Sequence, residues 1–152
     1  MGIPKSVVKM NRNGVTYTSS VDRASYTIKE LTRASLRDVG RFVSRTANSS
    51  AMQLKGLKRS KRVRGKSSAF QFWVRKNEGD LQVGIKHGTW YGVDQELGAN
   101  KQPKRGILRS SVYDNISTIV EIESKYLSAL EDEAAALALI SEEEYSGGGD
   151  DG

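Results

Sequence analysis

The residues in this chain with most chemistry to offer are one histidine, a scatter of carboxylates and a dense set of cations. His87 is the only histidine, and no cysteine is present. His87 follows an apparent strand and precedes Gly88-Thr89, so it reads as a turn residue and not as a general base held against a proton it must take. A Ser/His/Asp arrangement would need His87, Asp94 and some serine, and the chain has no nucleophile-elbow pattern. One histidine and dispersed acids supply no metal-ligand spacing. The glycines at 88, 92, 98 and 106 are spaced as loop hinges and not as a phosphate cradle. The expectation is therefore a chain with no catalytic residue, no metal site and no cofactor.

The cations are more informative. Seven of the twelve residues in 55–66 are basic: Lys55, Lys58, Arg59, Lys61, Arg62, Arg64 and Lys66. A run this dense cannot enter a core; it reads as a flexible loop able to dock on phosphate or on an acidic surface. A second group, Lys29, Arg33, Arg37, Arg41 and Arg45, recurs every four residues. On a helix this row drifts about 40° per step. Like charges so spaced weaken an isolated helix by about 0.2–0.5 kcal/mol per pair. A negatively charged partner would offset that cost. The competing reading is a solvated face softened by Glu30 and Asp38.

These side chains must be positioned by elements. Residues 1–13 read as an arm. Val15, Tyr17 and Ser19 alternate with Thr16, Thr18 and Ser20, which suits a short edge strand. A helix is predicted over about 25–46, capped by Asp22 or Ser25. Ile28, Leu31, Ser35, Leu36, Val39, Phe42, Val43 and Ala47 form its buried stripe. Residues 48–68 read as a loop. Strands are predicted over 70–76 and 80–87, with Phe70, Phe72, Val74, Leu81, Val83 and Ile85 on one apolar face and Asn77-Glu78-Gly79 turning between them. Residues 88–106 look irregular. A last helix is predicted from Ser110 or Ser111, with Ser111 and Asp114 in a capping-box-like spacing. Its stripe is Val112, Ile116, Ile119, Val120, Leu127, Leu130, Ala134 and Leu137. The closing SGGGDDG reads as a disordered acidic tail. The division expected is an arm with edge strand over 1–24, a folded domain over 25–141 and the tail over 142–152. The class expected is α+β: two long helices on a small, mainly antiparallel sheet of three or four strands.

Charge divides the chain along its length. Residues 1–109 carry 23 of the 24 Lys and Arg but 7 of the 18 Asp and Glu, a net +16. Residues 110–152 carry Lys125 against 11 acids, a net −10. Such a split suits contact with nucleic acid, or copies packing basic part against acidic part. No run approaches the roughly 18 apolar residues of a membrane span, and the start lacks a secretory core. Met1-Gly2 with Ser6 matches the loose myristoylation pattern. Asn48-Ser49-Ser50 and Asn115-Ile116-Ser117 match glycosylation acceptors, with nothing else suggesting secretion.

Residues 83–113 read VGIKHGTWYGVDQELGANKQPKRGILRSSVY. This stretch resembles the head–tail joining, or tail-completion, family of long-tailed bacteriophages. The residues carrying the resemblance are Val83-Gly84, Tyr91, Glu96-Leu97-Gly98, Pro103 and Ile107-Leu108-Arg109 leading into the last helix. The upstream order of long helix, basic loop and hairpin also agrees, so the resemblance covers about 25–131. Leu97 stands where that family usually has an aromatic residue, and Ile107 where it has Phe. The resemblance implies a structural virion protein, assembled in the bacterial cytoplasm as a ring of six or twelve copies in the neck or at the head-proximal end of the tail. Its implied partners are copies of itself, neighbouring neck and tail proteins, and DNA passing through the channel; no membrane is implied. Physically, Glu96 in this loop can accept backbone N–H groups or pair with Arg105 or Arg109, and Trp90 and Tyr91 can cover a sheet edge or anchor a neighbour. Other readings stay open: a basic nucleic-acid-binding module, a tail tube or minor capsid protein and, least supported, an enzyme.

Overall fold

The computed structural model describes residues 8–53, 69–86, 90–99, 101 and 103–147. Five helices and four strands follow one another: β1 (Val8–Arg12), β2 (Val15–Ser19), α1 (Val21–Met52), β3 (Phe70–Arg75), β4 (Asp80–Ile85), α2 (Trp90–Leu97), α3 (Ile107–Tyr113), α4 (Ile116–Ser128), a 3₁₀ turn (Ala129–Glu131) and α5 (Glu133–Gly147). The class is α+β, with helices packed on small antiparallel β structure. The four strands form two separate two-stranded ribbons, β1–β2 and β3–β4.

Helix α1 is the spine, and its two halves bury different faces. Its N-terminal half places Leu31 and Ala34 in a cluster with Tyr126, Ala129, Ala136 and Ile140 from the C-terminal helices. Its C-terminal half places Ala47 and Ala51 in a second cluster with Ala69, Phe70 and Ile107. Small residues at 34, 47 and 51 let neighbours approach the helix closely. Gly40 does this most sharply. A Cβ there would sit 2.7 Å from Phe72 Cγ and 2.8 Å from Leu81 Cδ1, well inside contact distance. The β3–β4 ribbon therefore lies directly on the helix backbone at that point.

The expected hairpin is present, in register Phe70↔Ile85, Phe72↔Val83 and Val74↔Leu81. Phe70 is buried and Trp73, on the opposite face, is exposed. Asn48 of α1 ties down the start of β3: its Nδ2 donates to Phe70 O (3.3 Å) and its Oδ1 accepts from Phe70 N (3.2 Å).

Several expectations are corrected. Part of the arm is strand: β1 pairs with β2 through Asn13-Gly14, both at positive φ (54° and 77°). Such a two-residue Asn-Gly link is the preferred hairpin turn. Helix α1 is longer at both ends than 25–46, and Ser20, not Asp22 or Ser25, holds the position before its first turn. The irregular stretch contains α2. The last helix is divided into α3, α4 and α5. Asn115 interrupts it first, with its Nδ2 donating to Ser111 O (3.1 Å). Asp132 interrupts it again in extended backbone, its Oδ1 capping α5 by accepting from Ala134 N (2.9 Å). Asn and Asp offer the backbone such local alternatives and so favour helix ends. The capping role expected of Ser111 fails as well. Ser111 is buried inside α3 and donates to Ile107 O (2.7 Å).

Candidate assembly surface

The segment joining α2 to α3 is organised by Glu96. Helix α3 begins after Gly106, which sits at φ 57° and has no side chain with which to cap. Glu96, at the end of α2, supplies the missing acceptor: Oε2 takes the N–H of Leu108 (3.0 Å) and Oε1 that of Arg109 (3.1 Å). These are the second and third N–H groups of α3, the pair an N-cap side chain ordinarily serves. The negative charge also faces the positive end of the helix. Gly98 makes the turn possible. At φ 76° it ends α2, with its own N–H and that of Ala99 both donating to Asp94 O (2.8 and 3.0 Å). A Cβ at Gly98 would meet Lys104 N at 2.9 Å. Pro103 is exposed in the following coil, and Leu108 packs on the second core cluster. Arg109 lies over the Tyr113 ring, 5.2 Å from its centre. Tyr91 falls in the first turn of α2. The arrangement is a structural clasp between α2 and α3, with Glu96 as acceptor.

The basic row is only partly free. Arg33 pairs with Glu30 through Nη1 (3.0 Å to each carboxylate oxygen), while its Nε is buried without a hydrogen-bond partner. Arg41 pairs with Asp38 (2.8 Å), whose other oxygen accepts from the Tyr126 hydroxyl. Lys29, Arg37 and Arg45 make no ion pair among the described residues. On the acidic side Glu133 pairs with Arg23. Glu121, Glu123, Glu131 and Glu142 make no ion pair among the described residues. Unpaired cations thus stay on α1 and unpaired anions on α4, α5 and the turn between them. At the β3–β4 turn, Arg75 grips Asp80 and Glu78. The Arg75 hydrogen bond holds the Asp80 carboxyl below its usual pKa, and the Asp80 hydrogen bond raises that of Arg75.

The largest departure concerns the apolar stripe of the last helix. Residues expected in the core point outward: Ile116 is 51% exposed, Val120 52%, Leu127 64% and Leu130 44%. The inward side of these segments is formed by Tyr126, Ala129, Ala136 and Ile140. Ile28, also expected inside, is 51% exposed. Together Ile28, Leu127 and Leu130 edge an open groove of about 200 Å³ between α1 and α4, with Leu31 and Tyr126 in its floor and Glu123 on its rim. Sequence periodicity finds such a stripe but cannot say which of two apolar faces wins the core.

The basic loop, Lys55, Lys58, Arg59, Lys61, Arg62, Arg64 and Lys66, lies outside the described residues, as does His87. Among the described residues, no group of His, Asp and Glu is arranged to hold a metal ion, and no helix is long and apolar enough to cross a membrane. No family model, curated protein or solved structure matches the chain.

Proposed function

We propose that the chain is a structural subunit of the head–tail junction of a tailed bacteriophage, assembled as a ring of identical copies. The observation that carries this reading is the separation of unpaired charge. Lys29, Arg37 and Arg45 on α1, and Glu121, Glu123, Glu131 and Glu142 on the C-terminal segments, make no ion pair among the described residues, and a second copy offers both charges. The exposed apolar stripe beside the anions supports the same conclusion, because large adjoining apolar patches mark contact surfaces. The likeness of residues 83–113 to tail-completion proteins supplies the setting, and the Glu96 clasp gives that stretch a purely architectural role.

The test is the mass and shape of the purified protein. A closed ring in negative stain, with a matching mass in solution, is the expected result. A monomer that binds duplex DNA would instead favour a nucleic-acid-binding module, the reading that the net +16 of residues 1–109 also suits. In infected cells, replacing Lys58, Arg59, Lys61 and Arg62 by Ser is expected to leave the subunit folded and to lower the yield of joined particles.

A further inference from the structure

The β1–β2 ribbon stands apart from the other described elements. Its strands pack on each other, and among the described residues no extensive contact joins them to another element. An isolated two-stranded hairpin is at best marginally stable in water. The register places positions 8, 10, 12, 15, 17 and 19 on one face. In sequence these are Val, Met, Arg, Val, Tyr and Ser, whereas positions 9, 11, 16 and 18 on the other face are Lys, Asn, Thr and Thr. The pattern is therefore amphipathic, and on its apolar face Met10 is 57% exposed and Val15 69%.

The same chain has a second exposed apolar surface. Ile116, Val120, Glu123, Leu127 and Leu130 recur at steps of four, three, four and three, the 3.5-residue period of a helix seam made to meet a partner. The ribbon is long enough to cover most of the seam: five strand residues span roughly 17 Å, and Ile116 to Leu130 roughly 21 Å. The two surfaces also match in charge. Arg12 falls on the face that carries Met10 and Val15 and makes no ion pair among the described residues, and residues 8–20 contain no acid. Glu123 interrupts the apolar seam, and Glu121 and Glu131 flank it. Only Ser20 links β2 to α1, so the ribbon has little chain with which to fold back across its own groove.

We infer that the β1–β2 ribbon of one copy docks, apolar face down, on the exposed α4 seam of a neighbouring copy. This rests on the ring reading and specifies its interface. The contact is heterologous, joining one surface to a different one, and such contacts build rings when the rotation closes. Ribbon and seam each gain a cover that the described residues of their own chain do not give.

The absence of cysteine makes the test clean. Single variants Met10→Cys and Leu127→Cys, both at exposed positions, are mixed and treated with a short flexible bismaleimide. Met10→Cys with Asn77→Cys, on the tip of the other hairpin, is the control. The expected result is a cross-linked heterodimer several-fold more abundant with Leu127→Cys than with the control. Equal yields would overturn the inference. The double variant Met10→Cys/Leu127→Cys should give a ladder of linked copies; closure within single chains would overturn the exchange between copies. A ring by mass with no selective cross-link sinks this interface and leaves the ring reading standing. A selective cross-link in an assembly that never closes upholds the interface and sinks the ring.

Discussion

Single side chains here hold joints between elements, and each can be tested alone. Glu96 accepts both N–H groups that Gly106 cannot serve, so Glu96→Ala should lower the unfolding free energy by about 1–2 kcal/mol, as loss of a cap does. Glu96→Gln keeps one good acceptor and should fall between; urea denaturation reads both. Gly40→Ala tests opposing effects. Alanine in a helix interior gains about 1 kcal/mol over glycine, but forcing a methyl into a filled contact costs about 1–3 kcal/mol. Two flanking side chains, Phe72 and Leu81, stand within 3 Å of the new atom, so net destabilisation is expected, seen as a lower denaturation midpoint. Asp80 supplies a pH dependence. Its folded pKa is depressed by Arg75, so its contribution is present above the unfolded carboxylate value of about 3.9 and is lost as pH falls through the folded value. Trp73, beside this turn in β3, should report loosening of the hairpin in acid by its fluorescence. Asp80→Asn should remove that component of the transition.

Among the elements, the β3–β4 hairpin was legible because two independent signals coincide: strict alternation and an Asn-Glu-Gly turn. The first helix was legible from its apolar recurrence, although the length of α1 was not, since residues 47–52 are small or polar and carry little periodic signal. The Asn13-Gly14 turn is in plain view but lies between short stretches of weak alternation, so the sequence of β1 reads as arm. Helix α2 was obscured by Gly92 and Gly98, which resemble loop punctuation even though Gly98 serves as the end of a helix. The last helix carried two competing apolar faces, and its stop signals, Asn115 and Asp132, are polar residues that also occur on helix surfaces. Of the candidate site, Glu96 as a backbone acceptor followed from its place before Gly98, whereas Asn48 had no local signature because its partner, Phe70, lies 22 residues on. One prediction separates the two kinds of apolar element. Phe70 is 2% exposed, and Phe70→Ala should cost about 3–5 kcal/mol. Leu127→Ala, at an exposed position, should change subunit stability by no more than about 0.5 kcal/mol. Comparable losses for both, in denaturation at dilute protein, would show the α4 seam to be core.

At the scale of the whole molecule the question is what the segregated charge does. In the proposed ring, Lys29, Arg37 and Arg45 either line a channel and face DNA or, with Arg12, meet the acids of a neighbouring copy. Salt distinguishes these. Exposed ion pairs contribute about 0–1 kcal/mol each, so three or four acting together are worth one to two kcal/mol, roughly a tenfold change in dissociation constant. Raising salt from about 0.1 M to 1 M shortens the screening length from about 10 Å to 3 Å, while the apolar seam keeps its own contribution. The assembly should therefore persist at high salt but dissociate at about tenfold higher protein concentration than at low salt. Removing the acids by truncation would be misleading, because α5 also buries Ala136 and Ile140 in the core. Glu121→Gln, Glu123→Gln and Glu131→Gln together remove charge at exposed or rim positions and should reproduce the high-salt behaviour at low salt. Leu127→Asp should abolish assembly at either salt concentration, because it places a charge in the apolar contact itself. Mass photometry across this series gives the answer. Assembly indifferent to salt and to the triple substitution would rule out pairing between copies and leave the channel wall, with DNA passing it, as the place where the arginines act.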